Sequence, residues 1–166
     1  LINYDCEITK NNFNSTHTWS NKETNKVSFS IIPTKVNKSQ TIGDYFENGE
    51  FVDQVNIPIP GYHNLANITA SIAASRMIGV DFIKIKNNIK YLKLPKRRFE
   101  FRGELAQRKI YDDYAHHPNE IKASIDLAKL FIDKNNKNKN RLVVIFQPHR
   151  FSRVKQFIHE FAEELS

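Results

Sequence analysis

Tyr111-Asp112-Asp113-Tyr114-Ala115-His116-His117-Pro118 places six ionisable or phenolic side chains in eight positions and closes on a proline. Lys109, Ile110 and Tyr111 read as the end of a strand, and Pro118-Asn119-Glu120 opens a helical pattern. The carboxylates and imidazoles therefore fall in a strand-to-helix connection, where rigid flanking elements hold a loop that can meet a ligand. Two adjacent carboxylates beside two adjacent imidazoles can bind a metal, run acid-base chemistry or hold the hydroxyl and carboxylate groups of a substrate. Residue types alone do not choose among these. His116 and His117, being adjacent, point in different directions and make a poor chelate, and no Cys/His set has zinc spacing.

Downstream, Glu120 to Ile132 predicts a helix with Ile121, Ile125, Ala128 and Ile132 on one stripe. Residues 133–140, DKNNKNKN, read as a solvated loop of low complexity. Leu142 to Phe146 is a continuous apolar run, the mark of a central parallel strand, followed by Gln147-Pro148-His149-Arg150-Phe151-Ser152-Arg153 and a helix expected from Val154 to Leu165. Strand, loop, helix, strand, loop, helix is the βαβ order, whose right-handed crossover brings successive loops to one sheet edge. Asp113, Tyr114 and His116 are thus expected to face Arg150 and Arg153, forming a site for a charged small molecule. The structural alternative is an ion pair between Asp112 or Asp113 and Arg150.

Upstream, residues 1–60 look β-rich. Val27, Phe29 and Ile31 alternate on one side, as do Val55, Ile57 and Ile59, and Asn48-Gly49 is a turn signal between the two runs. His17 and Trp19 fall in a short strand and are read as a partly buried aromatic pair without a ligand role. After Pro60-Gly61, Tyr62 to Ile78 predicts a helix with Leu65, Ile68, Ile72 and Ala73 on one stripe. His63, Asn64 and Asn67 bunch at its start. An asparagine amide offers a donor beside an acceptor, the complement of an adenine edge; equally, Asn64 can cap the helix while Asn67 is solvated.

Asp81 to Leu92 suggests a shorter helix with lysines 84, 86 and 90 on its outer face, and Lys93, Lys96, Arg97, Arg98 and Arg102 extend a basic run that suits either solvent or an anion. Leu94-Pro95 interrupts the pattern, and Phe99 to Ile110 turns to strand character with Gly103 in a turn. A domain boundary and hinge are expected near residues 95–97.

The chain has 166 residues, 40% of them hydrophobic and 11% aromatic, which is ordinary for a folded protein. A single cysteine, Cys6, rules out an internal disulfide, and no apolar run approaches the roughly 18 residues of a membrane span. A cytoplasmic setting is the expectation. The formal net charge of +7 favours anionic partners without choosing among them. The start at Leu1 and the end directly behind a helical pattern suggest an excised fragment. There is no G-x-S-x-G, CxxC, GxGxxG or G-x-x-x-x-G-K-[ST] motif.

Four segments in order, Gly61-x-His63-Asn64-x-x-Asn67, Arg97-Arg98-Phe99-Glu100, Asp112 to Pro118 and Phe146 to Arg153, closely resemble the Mur ligases of peptidoglycan synthesis. By motif the match covers residues 57–166; residues 1–56 fit by position and β character only. The resemblance implies an α/β fold in which residues 1–96 end a P-loop-type central ATP-binding domain, a β-rich segment plus helices. Residues 97–166 then begin a Rossmann-like parallel C-terminal domain, left incomplete. It implies ATP- and Mg2+-dependent joining of L-alanine to UDP-N-acetylmuramate through an acyl phosphate, with no nucleic acid or membrane partner. The phosphate loop and metal ligands are expected upstream of this segment, which alone is expected to be inactive. Carried over residue by residue, His63, Asn64 and Asn67 resemble adenine contacts, Arg98 a phosphate contact and Asp113 the ribose contact. Tyr114 and His116 resemble amino-acid-site residues, His116 the catalytic one, and Arg150 and Arg153 resemble the cations for substrate carboxylates. A sister ligase such as the murein-peptide recycling enzyme, or a basic nucleic-acid module over residues 84–102, is the alternative.

Overall fold

The computed structural model describes residues 1–132 and 141–166; the expected loop over 133–140 lies outside the described residues. The chain divides into two compact units, Leu1–Lys93 and Leu94–Ser166.

The first unit is built on a five-stranded mixed sheet in the order β1-β2-β3-β4-β5. Its strands are β1 (Ile2–Asn3), β2 (Thr18–Ser20), β3 (Phe29–Val36), β4 (Thr41–Glu47) and β5 (Glu50–Ile57), with a short helix α1 (Glu7–Asn12) after β1. The pairs β1/β2 and β2/β3 are parallel, whereas β3/β4 and β4/β5 are antiparallel. The expected alternation is present: Val27, Phe29 and Ile31 are buried, as are Val55, Ile57 and Ile59. Asn48 and Gly49 join β4 to β5 with φ of 51° and 86°, the pair of left-handed residues that a two-residue hairpin turn requires. Gly43 in β4 permits a close approach, because a Cβ there would stand 2.6 Å from Ile31 Cγ2 and 2.9 Å from the Ile32 carbonyl oxygen. The strand β4 and the helix α1 are elements that periodicity alone did not reveal.

Two helices cover this sheet, α2 (Tyr62–Met77) and α3 (Phe82–Ile89). The stripe predicted for α2 delivers Leu65, Ile72 and Ala73 to the core, and each large apolar side chain so buried contributes about 1.5–3 kcal/mol. Asn21 Nδ2 donates to both the Ile31 carbonyl and Thr69 Oγ1, tying α2 to β3. Two turns further along α2, Arg76 reaches Glu47 from Nε at 2.6 Å and Nη2 at 3.1 Å, and the phenol of the fully buried Tyr45 donates to the same carboxylate at 2.7 Å. Tyr45 in turn stacks on Phe82 of α3 at 4.4 Å.

The second unit opens with an antiparallel hairpin, β6 (Glu100–Leu105) and β7 (Arg108–Asp112), followed by α4 (Pro118–Lys129), α5 (Phe151–Gln156) and α6 (Ile158–Leu165). Three expectations are corrected here. The hairpin turns at Ala106 and Gln107, with φ of 48° and 62°, while Gly103, at φ 144°, sits where the β6/β7 register shifts. The helix expected from Val154 to Leu165 is two helices broken at Phe157, whose ring packs edge-on to His117 at 4.7 Å. Residues 142–146 make no strand. A strand needs a neighbour's N–H and C=O groups at ladder spacing; this run and β7 instead both line a cavity of about 200 Å3, with Tyr111, Ile121 and Ile125 among its walls. Ile145 is 94% exposed. The α/β class holds.

Candidate active site

The Asp112–Pro118 connection leaves β7 and enters α4, as the pattern predicted. Its shape is held by its own carboxylates. Asp113 accepts the backbone N–H of Phe99 on Oδ2 and that of Ala115 on Oδ1, both at 2.8 Å. Arg97 and Phe99 have φ of 58° and 50°, a left-handed conformation that costs a non-glycine residue of order 1 kcal/mol or more. Asp113 and the Tyr114 N–H, which donates to the Arg97 carbonyl at 2.8 Å, hold this strained turn in place. Asp112 pairs with Arg97 Nε at 3.3 Å rather than with Arg150, and the Arg97 guanidinium lies over the Tyr114 ring at 4.9 Å.

At the far end of the loop, the side chain of His117 caps α4 by accepting the Asn119 N–H on Nδ1 at 3.3 Å. Glu120 closes the box: Oε2 accepts the N–H of His116 at 3.0 Å and that of His117 at 3.3 Å. Burial acts to raise the Glu120 carboxyl, but the N–H groups of His116 and His117, the neighbouring His116 imidazole and the Arg98 charge outweigh it and hold the group below the usual carboxylate range. His116 Nδ1 lies 2.8 Å from the Tyr114 carbonyl and 3.3 Å from Glu120 Oε2.

Asp113, Tyr114 and His116 line one cleft of roughly 500 Å3 together with Arg97, Gln147 and His149. That is large enough for an amino acid and part of a larger substrate. Arg150 and Arg153 do not line it, contrary to expectation. Arg150, at φ 69°, precedes the first turn of α5 and is exposed. Arg153 Nη1 is buried without a hydrogen-bond partner. Gln147 and His149 take the place given to the arginines; the loop was legible, but the weight placed on guanidinium charge passed over them. Glu120 was missed because a capping box is ordinarily signalled by Ser or Thr three residues before Glu, and here the capping residue is a histidine.

In the first unit, His63, Asn64 and Asn67 share the first turns of α2. Asn64 is buried and its Nδ2 donates to the Pro60 carbonyl at 2.7 Å, securing the chain's entry into the helix, while Asn67 is exposed. The basic run is largely paired: Arg97 with Asp112, Arg98 with Glu120 at 3.9 Å, Arg102 with Glu100 at 3.3 Å and Lys86 with Asp53.

The model of the Mur ligase, glutamate ligase domain, matches residues 97–166, the unit that carries this cleft. Across its whole length the chain is 66% identical, over 170 aligned residues, to the UDP-N-acetylmuramate-L-alanine ligase of Prochlorococcus marinus subsp. pastoris. Residues 97–166 match the Mur ligase family, and the whole chain is similar to ligases of that family. A second Prochlorococcus marinus ligase of the same name is 44% identical over 100% of the chain. Among solved structures, the UDP-N-acetylmuramate-alanine ligase of Thermotoga maritima superimposes with a TM-score of 0.70 at 25% identity, covering 92% of this chain and 32% of that one. The chain spans about a third of the length of the curated relatives it matches, 36% and 34% of the two Prochlorococcus ligases. Among the described residues, no helix is long and apolar enough to cross a membrane.

Proposed function

We propose that this chain is part of a cytoplasmic ATP-dependent ligase that joins L-alanine to UDP-N-acetylmuramate in the synthesis of peptidoglycan precursors. The observation that carries this is the 66% identity to a ligase of that name along the entire chain, cleft included. On this proposal residues 1–96 end the ATP-binding domain and residues 97–166 begin the domain that brings substrate groups to it. ATP is the energy source, and phosphorylation of the muramyl carboxylate prepares it for attack by the alanine amine.

The residues present fit part of that chemistry. The α2 start offers His63, Asn64 and Asn67 to an adenine, although Asn64 Nδ2 is committed to Pro60, which leaves its amide oxygen and the exposed Asn67 amide as the groups for recognition. Asp113 uses one lone pair of each oxygen on the backbone, and the others remain for a ribose hydroxyl. Arg98 supplies charge for a phosphate. Tyr114 and His116 take the amino acid in the cleft, and Arg150 and Arg153 supply guanidinium donors for carboxylates, Arg153 with an Nη1 still unpartnered. Among the described residues no group of three or more His, Cys, Asp or Glu side chains is placed to hold a metal, so no step is assigned to Mg2+ on this segment. Positioning and charge stabilisation are what these residues contribute.

Asp113→Ala and Arg150→Ala, each introduced into the full-length ligase and assayed for ATP-dependent alanine addition, test the assignment; loss of activity in both is expected, and survival of activity in both refutes it. The nucleic-acid alternative is disfavoured because the arginines at 97, 98 and 102 already face carboxylates.

A further inference from the structure

Glu120 stands behind the cleft rather than in it, yet it touches three things the proposed site depends on. Its Oε2 accepts the backbone N–H of His116 and His117 and lies 3.3 Å from His116 Nδ1, while its Oε1 lies 3.9 Å from Arg98 Nη1. One carboxylate thus joins the imidazole that lines the cleft to the arginine at the start of the unit. Its side chain is about one-third exposed, and that of His116 29%, so the contacts are only partly screened by water.

His116 Nδ1 faces two acceptors, the Tyr114 carbonyl and Glu120 Oε2, and neither has a proton to give. Nδ1 must therefore carry the hydrogen, which leaves Nε2 as the lone-pair nitrogen of the neutral ring. A carboxylate that settles the tautomer and tilt of an imidazole is a device for presenting one defined nitrogen to a ligand.

We propose that Glu120 is a positioning residue of the ligase, orienting the His116 imidazole toward the amino-acid end of the cleft. This rests on the assignment of His116 to the substrate site and extends it to a residue that touches no substrate. Capping alone would need only an acceptor at this position; the positioning role needs the negative charge as well.

Glu120→Gln separates the two, because an amide oxygen still accepts the His116 and His117 N–H groups while the charge is lost. In the full-length ligase the substitution is expected to lower kcat/KM for the amino acid about tenfold, the scale of a modest loss of alignment. Hydrogen exchange at the His116 and His117 amides should stay slow, showing that the loop is folded. In a His116→Ala background the same substitution should change kcat/KM by less than about twofold, since residues that act through one another are not additive. An unchanged kcat/KM for Glu120→Gln, or an equal fall in both backgrounds, overturns the positioning role. If His116→Ala by itself leaves kcat and KM unaltered, the substrate-site assignment has failed and the proposal falls with it. Imidazole 15N shifts give an independent check: a neutral His116 found with hydrogen on Nε2 contradicts the geometry from which the role is drawn.

Discussion

Removing the Glu47 carboxylate should unfasten the first unit. In Glu47→Ala, the phenol of Tyr45, fully buried and donating at 2.7 Å, loses its acceptor in a place water does not reach. An unsatisfied buried hydroxyl costs about 1–3 kcal/mol. Arg76 loses a two-pronged partner; its side chain is 26% exposed and that of Glu47 22%, so this pair contributes about 1 kcal/mol after screening. Together the loss is about 2–4 kcal/mol, which moves a urea midpoint down by about 1–2 M. Trp19, the only tryptophan, lies in β2, so its fluorescence reports this unit selectively. Glu47→Gln, which keeps an oxygen for Tyr45 but not the charge, should lose about half as much. A Glu47→Ala midpoint corresponding to a loss below about 0.5 kcal/mol would refute the assignment. The same network sets a pH window. Burial acts to raise Glu47, but its bonds with Arg76 and Tyr45 hold it below the usual carboxylate range; its stabilisation is therefore present above that range and lost as pH falls through the lowered value. Tyr45 is pushed far above the usual phenol range by burial and by Glu47, so its stabilisation is present below pH of about 10 and is lost as pH rises beyond that. The Trp19-monitored stability should show a plateau between these limits, and Glu47→Ala should flatten its acid side.

Three further outcomes are expected. Gly43→Ala should destabilise the first unit by about 1–3 kcal/mol in the same Trp19-monitored titration, because the new methyl would meet Ile31 and the Ile32 carbonyl within 3 Å. Gln107→Gly should stabilise the β6/β7 hairpin by about 0.5–1 kcal/mol, since Gln107 is held at φ 62°; slower exchange of the β7 amides would show it. Glu120→Ala, unlike Glu120→Gln, should cost about 1 kcal/mol of local stability, seen as roughly fivefold faster exchange at the His116 and His117 amides.

What the amino-acid order determined by itself was local or periodic. The Asn48-Gly49 turn was legible because two left-handed residues in succession favour that pair of side chains. The Val27-Phe29-Ile31 alternation and the α2 stripe were legible because burial on one face imposes a period of two or 3.6. The Asp112–Pro118 loop stood out by its density of titratable groups and by its place between a strand and a helix. The tertiary structure decided matters that depend on a partner far along the chain. Ala106-Gln107 forms the same kind of turn as Asn48-Gly49 without any residue that favours it, because pairing of β6 with β7 stabilises the ladder more than the strain costs. Leu142 to Phe146 has the composition of a strand but no ladder, since composition supplies apolar side chains and not a neighbouring backbone. In the cleft, the guanidiniums that charge alone would have chosen are set aside by the φ of Arg150 and the start of α5, and Gln147 and His149 stand there with Tyr114 and His116. The division of labour within the loop, with Asp113 holding a strained turn and Glu120 holding an imidazole, depends on backbone N–H groups whose directions only the fold supplies.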